Sequence, residues 1–125
     1  MAGEHGYVPG RHKIDDYGGG GFRFADMSHK GSILATASGV RAMDITQSQQ
    51  IDAAVLDLAL ADPTGRPDLL IVGTGDDLSP LPAPLRAKLR TAGVACETMA
   101  TGPAVRTYNL LVDEYRRVAA LLIAV

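Results

Sequence analysis

The residues that could most clearly bind a ligand follow a short apolar run. Leu69–Val72 is such a run, and directly after it come Gly73, Thr74 and Gly75. A glycine-rich turn at the end of a strand can direct backbone N–H groups at an anion. The dinucleotide-binding fingerprint requires a further glycine that opens a helix, and the sequence has none at that place. The acidic pair Asp76–Asp77 follows at once and would repel phosphate, so an ordinary strand-end turn is the competing interpretation.

A second candidate lies at the start of the predicted last helix. Thr101 can cap this helix, whose first turn has free N–H groups with partial positive charge. Arg106 follows one turn later, so an anionic group could bind there. In the competing interpretation Thr101 is only a cap, and Arg106 pairs with a carboxylate such as Glu97. If strands 69–73 and 94–99 are neighbours, both candidate loops lie at the same edge of the sheet, where α/β proteins tend to bind ligands.

Arg106 and Asn109 are three residues apart on the same predicted helix, on the side opposite to its apolar stripe. An exposed ion pair adds only about 0–1 kcal/mol to stability, so stability alone would not require an arginine. The planar fork of arginine instead suits carboxylate or phosphate oxygens. The pattern predicts that Arg106 binds an anion or an acidic group of a partner. The alternative is an internal clamp from Arg106 to Glu97 or to the glycine turn.

The other reactive side chains do not form a catalytic set. His5, His12 and His29 are too scattered in sequence for a metal site. Cys96 lies in a predicted strand with no histidine near it in sequence, which favours a buried thiol over a nucleophile. Gly18–Gly21 is followed by neither a helix nor a Lys-Ser/Thr pair, so it predicts a mobile lead into a strand and not a phosphate loop. We therefore predict no metal, no cofactor and no catalytic residue.

Composition narrows the class of protein. With 125 residues the chain is one domain by size, and its 12 Lys+Arg against 14 Asp+Glu give a net charge of −2. Such a chain has no basic field for nucleic acid. A single cysteine excludes an intramolecular disulfide. The longest apolar run, Val118–Val125, is far shorter than the roughly 20 residues of a membrane helix. We expect a soluble, cytoplasmic protein without membrane insertion.

Hydrophobic patterning predicts a flexible tail over residues 1–13 and an α/β domain over residues 14–125. Alternation at Phe22-Arg23-Phe24 indicates a strand with both aromatics on one face, followed by a turn at 28–32. Strands at 33–36 and 40–45 would complete an antiparallel meander. Good helix formers predict a helix over 48–61, with Ile51, Val55 and Leu58 at helical spacing on its apolar side. Asp44 or Thr46 could cap its start.

The second half of the chain alternates between strands and helices. Strands are predicted at 69–72, 94–99 and 118–125, with the first two parallel in one sheet. Pro84 suits the first turn of a helix that ends before Gly93. The last helix, from 102 or 103 to about 114, should turn four residues to the core: Val105, Tyr108, Val112 and Tyr115. A helical continuation at 118–125 is the alternative to the final strand.

Several motifs together resemble one known family. In chain order they are Gly21-Phe22-Arg23-Phe24, Ser28-His29-Lys30-Gly31-Ser32, Leu69-Leu70-Ile71 with Gly73-Thr74-Gly75, Glu97-x-Met99-x-Thr101, Arg106-Thr107-Tyr108-Asn109, and Glu114-x-Arg116 before Val118-Ala119-Ala120. Their order and spacing over about residues 14–125 are more specific than any single motif. The chain resembles a family of small domains of unknown function that includes bacterial and archaeal members and the mitochondrial assembly factor 3 of respiratory complex I.

The resemblance implies a fold and a role. The fold would be a three-layer α/β domain with a mixed central sheet, βαβ units and an N-terminal β-hairpin region. For the mitochondrial relative it implies an assembly role through protein partners. Many relatives have a cysteine where this chain has Val105, so a mechanism that needs that thiol cannot operate here. Tyr115 stands where a small or acidic residue is commoner, so the turn before the last strand is expected to differ.

Two functions follow from the sequence. The first is a non-catalytic protein-binding module of assembly type, with an exposed patch for a protein partner or for a second copy of the chain. The alternative is a small anionic-ligand-binding protein or weak enzyme, with a pocket at the edge formed by Gly73–Gly75 and Thr101–Arg106. An edge that is flat or filled by side chains would favour the first function.

Overall fold

The computed structural model describes residues 6–125 of the chain. In chain order its elements are β1 Tyr7–Pro9, β2 Asp16–Gly18, β3 Gly21–Phe24, β4 Met27–Lys30, β5 Ser32–Ala35, β6 Gly39–Met43, α1 Ala53–Leu60, β7 Leu69–Gly73, α2 Ala83–Thr91, β8 Ala95–Met99, α3 Thr101–Asp113 and β9 Val118–Leu122. A short 3-10 turn, Ser48–Gln50, precedes α1. The predicted strand at 118–125 is therefore confirmed over its first five residues, and its helical alternative is not found.

A six-stranded mixed sheet forms the centre of the molecule, with strand order β1-β6-β5-β9-β7-β8. β7 is parallel to β8, as predicted, and it is also parallel to β9. β5 is antiparallel to β9 and β6, and β1 is antiparallel to β6. The connection through α2 leads from β7 to its neighbour β8, and the connection through α3 leads back past β7 to β9 on its other side. The two connections run in opposite directions across the sheet, so right-handed crossovers place α2 and α3 on opposite faces, as the two core clusters show. The predicted mixed α/β fold is confirmed.

The alternation of side chains along β7 divides the core into two clusters. Leu70 and Val72 pack on one face against residues of α1 and α2, including Leu56 and Leu89. Ile71 packs on the other face against residues of α3 and of the small sheet β2-β3-β4. Phe22 and Phe24 both belong to this second cluster, as their spacing predicts. The molecule therefore has three layers.

The helix predicted over 48–61 is shorter and begins later. Asp52 caps α1, since its side chain accepts a hydrogen bond from the Val55 N–H at 3.0 Å. Neither Asp44 nor Thr46, the expected caps, has this role. The buried face of α1 is formed by Leu56 and Ala59, whereas Leu58 is 41% exposed. The interruption at residues 51 and 52 shifts the helical register away from the one that the sequence suggested.

α2 ends as predicted, but both ends of α3 differ from the prediction. Gly93 has φ +77° directly after α2, a conformation that glycine adopts without steric cost. α3 begins after Ala100, so Thr101 is its first residue and not its cap. Tyr115, expected in the core, is 91% exposed and has φ +58°. The last helical turn has ended before Tyr115, so helical spacing no longer determines where its side chain lies.

The predicted flexible tail is wrong for its second part. Residues 1–5 lie outside the described residues, but Tyr7–Pro9 forms β1 and pairs with β6. The Tyr7 hydroxyl donates a hydrogen bond to the Ser38 carbonyl at 2.9 Å. The ring of Tyr7 also occupies the space that a Cβ on Gly39 would fill. These contacts join distant parts of the chain, and local composition contains no signal for them.

The turn expected at residues 28–32 is also misplaced. Met27–Lys30 is β4, paired with β3, and the hairpin turn falls on Ala25 and Asp26. Both residues have positive φ, of 51° and 60°. Hairpin turns with two left-handed residues are usually recognised by Asn-Gly or Asp-Gly, and Ala-Asp lacks that signature.

Candidate functional site

The predicted ligand edge, where β7 and β8 end, is closed by internal hydrogen bonds. Thr101 is fully buried, and its hydroxyl donates to the Ile123 carbonyl at 2.7 Å. The same oxygen accepts from the Gly75 N–H at 3.0 Å, and the Thr101 N–H donates to the Gly75 carbonyl at 2.8 Å. The Gly75 and Thr101 N–H groups, which were expected to be available to an anion, therefore already have partners within the protein.

Thr74 has a similar internal role. Its N–H donates to the Met99 carbonyl at 2.9 Å. Its hydroxyl lies 2.7 Å from the Asp77 carbonyl and accepts from the Ser79 N–H at 3.0 Å. Outside this turn lies a shallow depression of about 370 Å³, lined by Asp76 and Asp77 but by neither Thr101 nor Arg106. Two exposed carboxylates there disfavour an anion.

The structure separates the two residues that helical spacing had grouped. Asn109 is half-buried and binds the backbone of Ile14, accepting from its N–H at 2.9 Å and donating to its carbonyl at 2.7 Å. Arg106 is exposed. Neither of the two ion pairs among residues 6–125 includes Arg106 or Glu97, so the proposed clamp between them is not formed in the described part of the chain.

A concave site that the sequence analysis did not predict lies at the opposite edge of the sheet. Three arginines, Arg11, Arg66 and Arg117, and three apolar residues, Pro67, Val118 and Ala119, contribute to its lining. We call this site the arginine cleft. It has a volume of about 180 Å³. The arginines are exposed, whereas the apolar residues are buried, so the cleft has a cationic rim above an apolar floor.

Asp62 is the single carboxylate among the residues that line the arginine cleft. Its Oδ1 accepts from the hydroxyls of Thr36 and Ser38, and its Oδ2 accepts from the N–H and the hydroxyl of Thr64. Burial alone would raise the pKa of Asp62, but the hydrogen bonds from Ser38, Thr36 and Thr64 together lower it. The carboxylate is thus charged and fully occupied by internal donors.

A sequence signal for this cleft did exist. Arg66 stands just before β7, and Arg117 stands just before β9. Because β7 and β9 are parallel neighbours, the residues that precede them meet at one edge of the sheet. The prediction considered only the carboxyl ends of the strands. Arg11 had no such signal, since it reaches the cleft from the segment that was expected to be a tail.

Two other reactive groups lie elsewhere. Burial lowers the pKa of His29, which is on β4 with its ring centroid 6.4 Å from that of Phe24. Burial, with a smaller effect from the Glu97 charge, raises the pKa of the Cys96 thiol to about 11, so the thiolate is disfavoured at neutral pH. Among residues 6–125, no three His, Cys, Asp or Glu side chains are grouped in a way that could hold a metal ion.

The sequence and the fold both match known proteins. The profile of a family described as protein of unknown function (DUF498/DUF598) matches residues 14–123. The chain belongs to this family. An uncharacterised protein from Rhodobacter capsulatus is 42% identical over 110 residues, which are 88% of this chain and 82% of that protein. The family resemblance inferred from the motifs is confirmed.

Two other relatives of this DUF498/DUF598 chain have descriptive names. The 13 kDa major membrane protein of Francisella tularensis is 35% identical over 79 residues, 63% of this chain and 62% of that protein. The NADH dehydrogenase [ubiquinone] 1 alpha subcomplex assembly factor 3 of Xenopus tropicalis is 43% identical over 58 residues. That match spans 46% of this chain and 32% of the assembly factor.

Solved structures share the DUF498/DUF598 fold. An outer membrane protein from Bartonella henselae is 46% identical with a TM-score of 0.80, covering 93% of this chain and 97% of that one. A protein from Rhodopseudomonas palustris is also 46% identical, with a TM-score of 0.82 and coverage of 100% and 93%. Within residues 6–125 of the present chain, no helix has the length and apolarity needed to cross a membrane.

Proposed function

We propose that the chain is a non-catalytic protein-binding module of assembly type. The observation that carries this proposal is the 43% identity over 58 residues to assembly factor 3 of Xenopus tropicalis, a protein named for assembly. The likeness supports an assembly-type role at a distant level. The specific partner is a separate question, which the surface of α3 helps to address.

The exposed face of α3 is the proposed binding surface. Arg106 and Leu110 are four residues apart on α3, so their side chains are neighbours on its surface. Leu110 is 58% exposed, and Arg106 has no ion pair within the described residues. A free guanidinium beside an exposed leucine suits a partner with an acidic group next to an apolar side chain, because arginine and apolar anchors carry much of the energy of protein interfaces.

The internal contacts of the predicted ligand edge also support protein binding over the alternative function. Gly73, Thr74, Gly75 and Thr101 are all buried. Their hydrogen bonds hold the ends of β7 and α3 together, and opening them to a ligand would leave buried backbone groups without partners. A small-ligand site or a weak enzyme at that edge is therefore the less favoured proposal.

Capture of binding proteins tests the α3 surface. We expect the wild-type chain, used as bait in an extract of its native cells, to retain at least one protein that is lost with Arg106→Ala and with Leu110→Ser. The matched control is Arg90→Ala, which removes an exposed arginine from α2 and should retain the same proteins. Quantitative mass spectrometry measures the captured proteins, and urea unfolding checks that the wild type and the three variants are folded.

Two results would count against this proposal. One is the same set of captured proteins for the wild type, Arg106→Ala and Leu110→Ser. The other is a loss of several kcal/mol of stability in Arg106→Ala, which would indicate an internal role for the guanidinium. The cytoplasmic location, the homo-oligomer and the lack of nucleic-acid binding stay predictions from the sequence.

A further inference from the structure

Three arginines, Arg11, Arg66 and Arg117, line the arginine cleft. Each donates a hydrogen bond to a backbone carbonyl: Arg11 to Arg116, Arg66 to Ala92 and Arg117 to Arg66. A guanidinium has five N–H donors, so each retains several that can bind a ligand. These backbone contacts also hold the three arginines in defined positions, which reduces the entropy lost when a ligand binds.

Among residues 6–125, no carboxylate forms an ion pair with these arginines. The two ion pairs among residues 6–125 join Lys13 to Asp113 and Lys88 to Asp57, away from the cleft. Asp62 lines the cleft, but its two oxygens already accept from Thr36, Ser38 and Thr64. A carboxylate offers about four acceptor positions, so Asp62 has little capacity left for a ligand donor or a metal ion. Its charge still offsets one of the three positive charges.

From this geometry we infer that the arginine cleft binds a small phosphate monoester. The cleft has two more positive than negative charges, which matches a phosphate dianion better than a carboxylate. Arginine forks bind phosphate oxygens in pairs. The volume of about 180 Å³ is smaller than the usual sites for drug-sized ligands and suits a phosphate with a short organic group. That group would lie on the floor of Pro67, Val118 and Ala119.

The ligand, and not the protein, should set the pH dependence of binding. The titratable groups that line the cleft are Arg11, Asp62, Arg66 and Arg117. Guanidinium groups stay charged in proteins, and the pKa of Asp62 is lowered, so the cleft keeps its charge at neutral and mildly acidic pH. A phosphate monoester takes up a proton near pH 6, as its second pKa is about 6. Binding should therefore weaken below about pH 6.

Titration calorimetry with inorganic phosphate and with glycerol 3-phosphate tests this inference. We expect saturable binding at one site, weakened about tenfold or more by Arg117→Gln or Arg66→Gln, because each variant loses charge-assisted hydrogen bonds. Arg90→Gln is the matched control, since it removes one positive charge outside the cleft. Its effect should stay below about threefold, because salt screens distant charges. Urea unfolding confirms that each variant is folded.

A vesicle arm distinguishes a free phosphate ester from a lipid headgroup. Phosphatidylcholine vesicles with and without phosphatidic acid are compared in a flotation assay for the wild type, Arg117→Gln and Arg90→Gln. Binding to soluble glycerol 3-phosphate indicates a free ester, whereas binding only to phosphatidic acid, lost in Arg117→Gln, indicates a headgroup. The inference is overturned if neither form binds saturably, or if Arg90→Gln weakens binding as much as Arg117→Gln. Neither outcome depends on protein capture by α3.

Discussion

Arg106 and Asn109 lie one turn apart on α3, but their side chains face different surroundings. The Asn109 amide binds both backbone groups of Ile14, in the way that a neighbouring strand would. Ile14 itself is 2% exposed, so water cannot easily replace those two hydrogen bonds. Arg106 is exposed to solvent, where water can replace its contacts. Stability should therefore depend on Asn109, and surface recognition on Arg106.

Replacing Asn109 with Ala should lower the free energy of unfolding by about 2–3 kcal/mol, because the Ile14 N–H and carbonyl lose their partners. Arg106→Ala, in the same helix, should change it by less than about 0.5 kcal/mol. Urea unfolding monitored by circular dichroism measures both. Equal losses for the two variants would show that the division of roles is wrong.

At the scale of elements, the approach of α3 to β7 depends on a glycine. A Cβ on Gly73 would lie 3.0 Å from the Thr101 Cα, 3.0 Å from the Leu122 Cδ2 and 3.1 Å from the Ala104 Cβ. The first of these is a backbone atom at the start of α3, so a side chain at this position would have to move the helix. Gly73 thus has a packing role at the place where the sequence had suggested an anion-binding turn.

Gly73→Ala should lower the free energy of unfolding by about 1–3 kcal/mol, the usual cost of overpacking a core. The added methyl group should also shift the amide NMR signals of residues 101–104 and 122. Chemical denaturation and a backbone NMR spectrum check the two expectations. A variant as stable as the wild type, with an unchanged spectrum, would mean that α3 is not held close by Gly73.

Elements with a strong local pattern could be predicted from the sequence. The apolar run of β7, Pro84 in the first turn of α2 and Gly93 after it each act within a few residues. The features that were missed depend on partners distant in sequence, or on turns that lack the usual turn residues. Thr101 carries a good capping side chain, yet its hydroxyl binds Gly75 and Ile123 instead. Local rules consider only neighbours in sequence, and those two residues are 26 and 22 positions away.

For the molecule as a whole, the segment before β2 ties the N-terminal part of the chain to α3. The Tyr108 hydroxyl donates to the His12 carbonyl at 2.9 Å, and Lys13 pairs with Asp113 at 2.9 Å. With the contacts between Asn109 and Ile14, this segment follows α3 for more than one helical turn. Arg11 directly precedes this segment, so the contacts of residues 12–14 with α3 also place Arg11 at the arginine cleft.

Alkaline pH should weaken this attachment. Tyr108 is fully buried, and burial raises its pKa to about 12, against a smaller opposing effect of the Arg11 charge. A pKa above the ordinary value of 10.0 means that the folded state favours the neutral phenol. Its contribution to stability is therefore complete below pH 10 and is lost as the pH rises towards 12. The raised pKa of Cys96 adds a similar loss that begins near its ordinary value of 9.0.

Tyr108→Phe should isolate the contribution of the phenol. Near neutral pH the variant should be less stable than the wild type by about 1 kcal/mol, because the hydrogen bond to His12 is lost. Two units of pKa correspond to about 2–3 kcal/mol, so between pH 10 and 12 the wild type should lose roughly that amount more than the variant, which keeps only the loss that comes from Cys96. The order of stability should then reverse near pH 11. Urea unfolding at a series of pH values measures both curves, and curves that stay parallel above pH 10 would show that ionisation of Tyr108 is not coupled to unfolding.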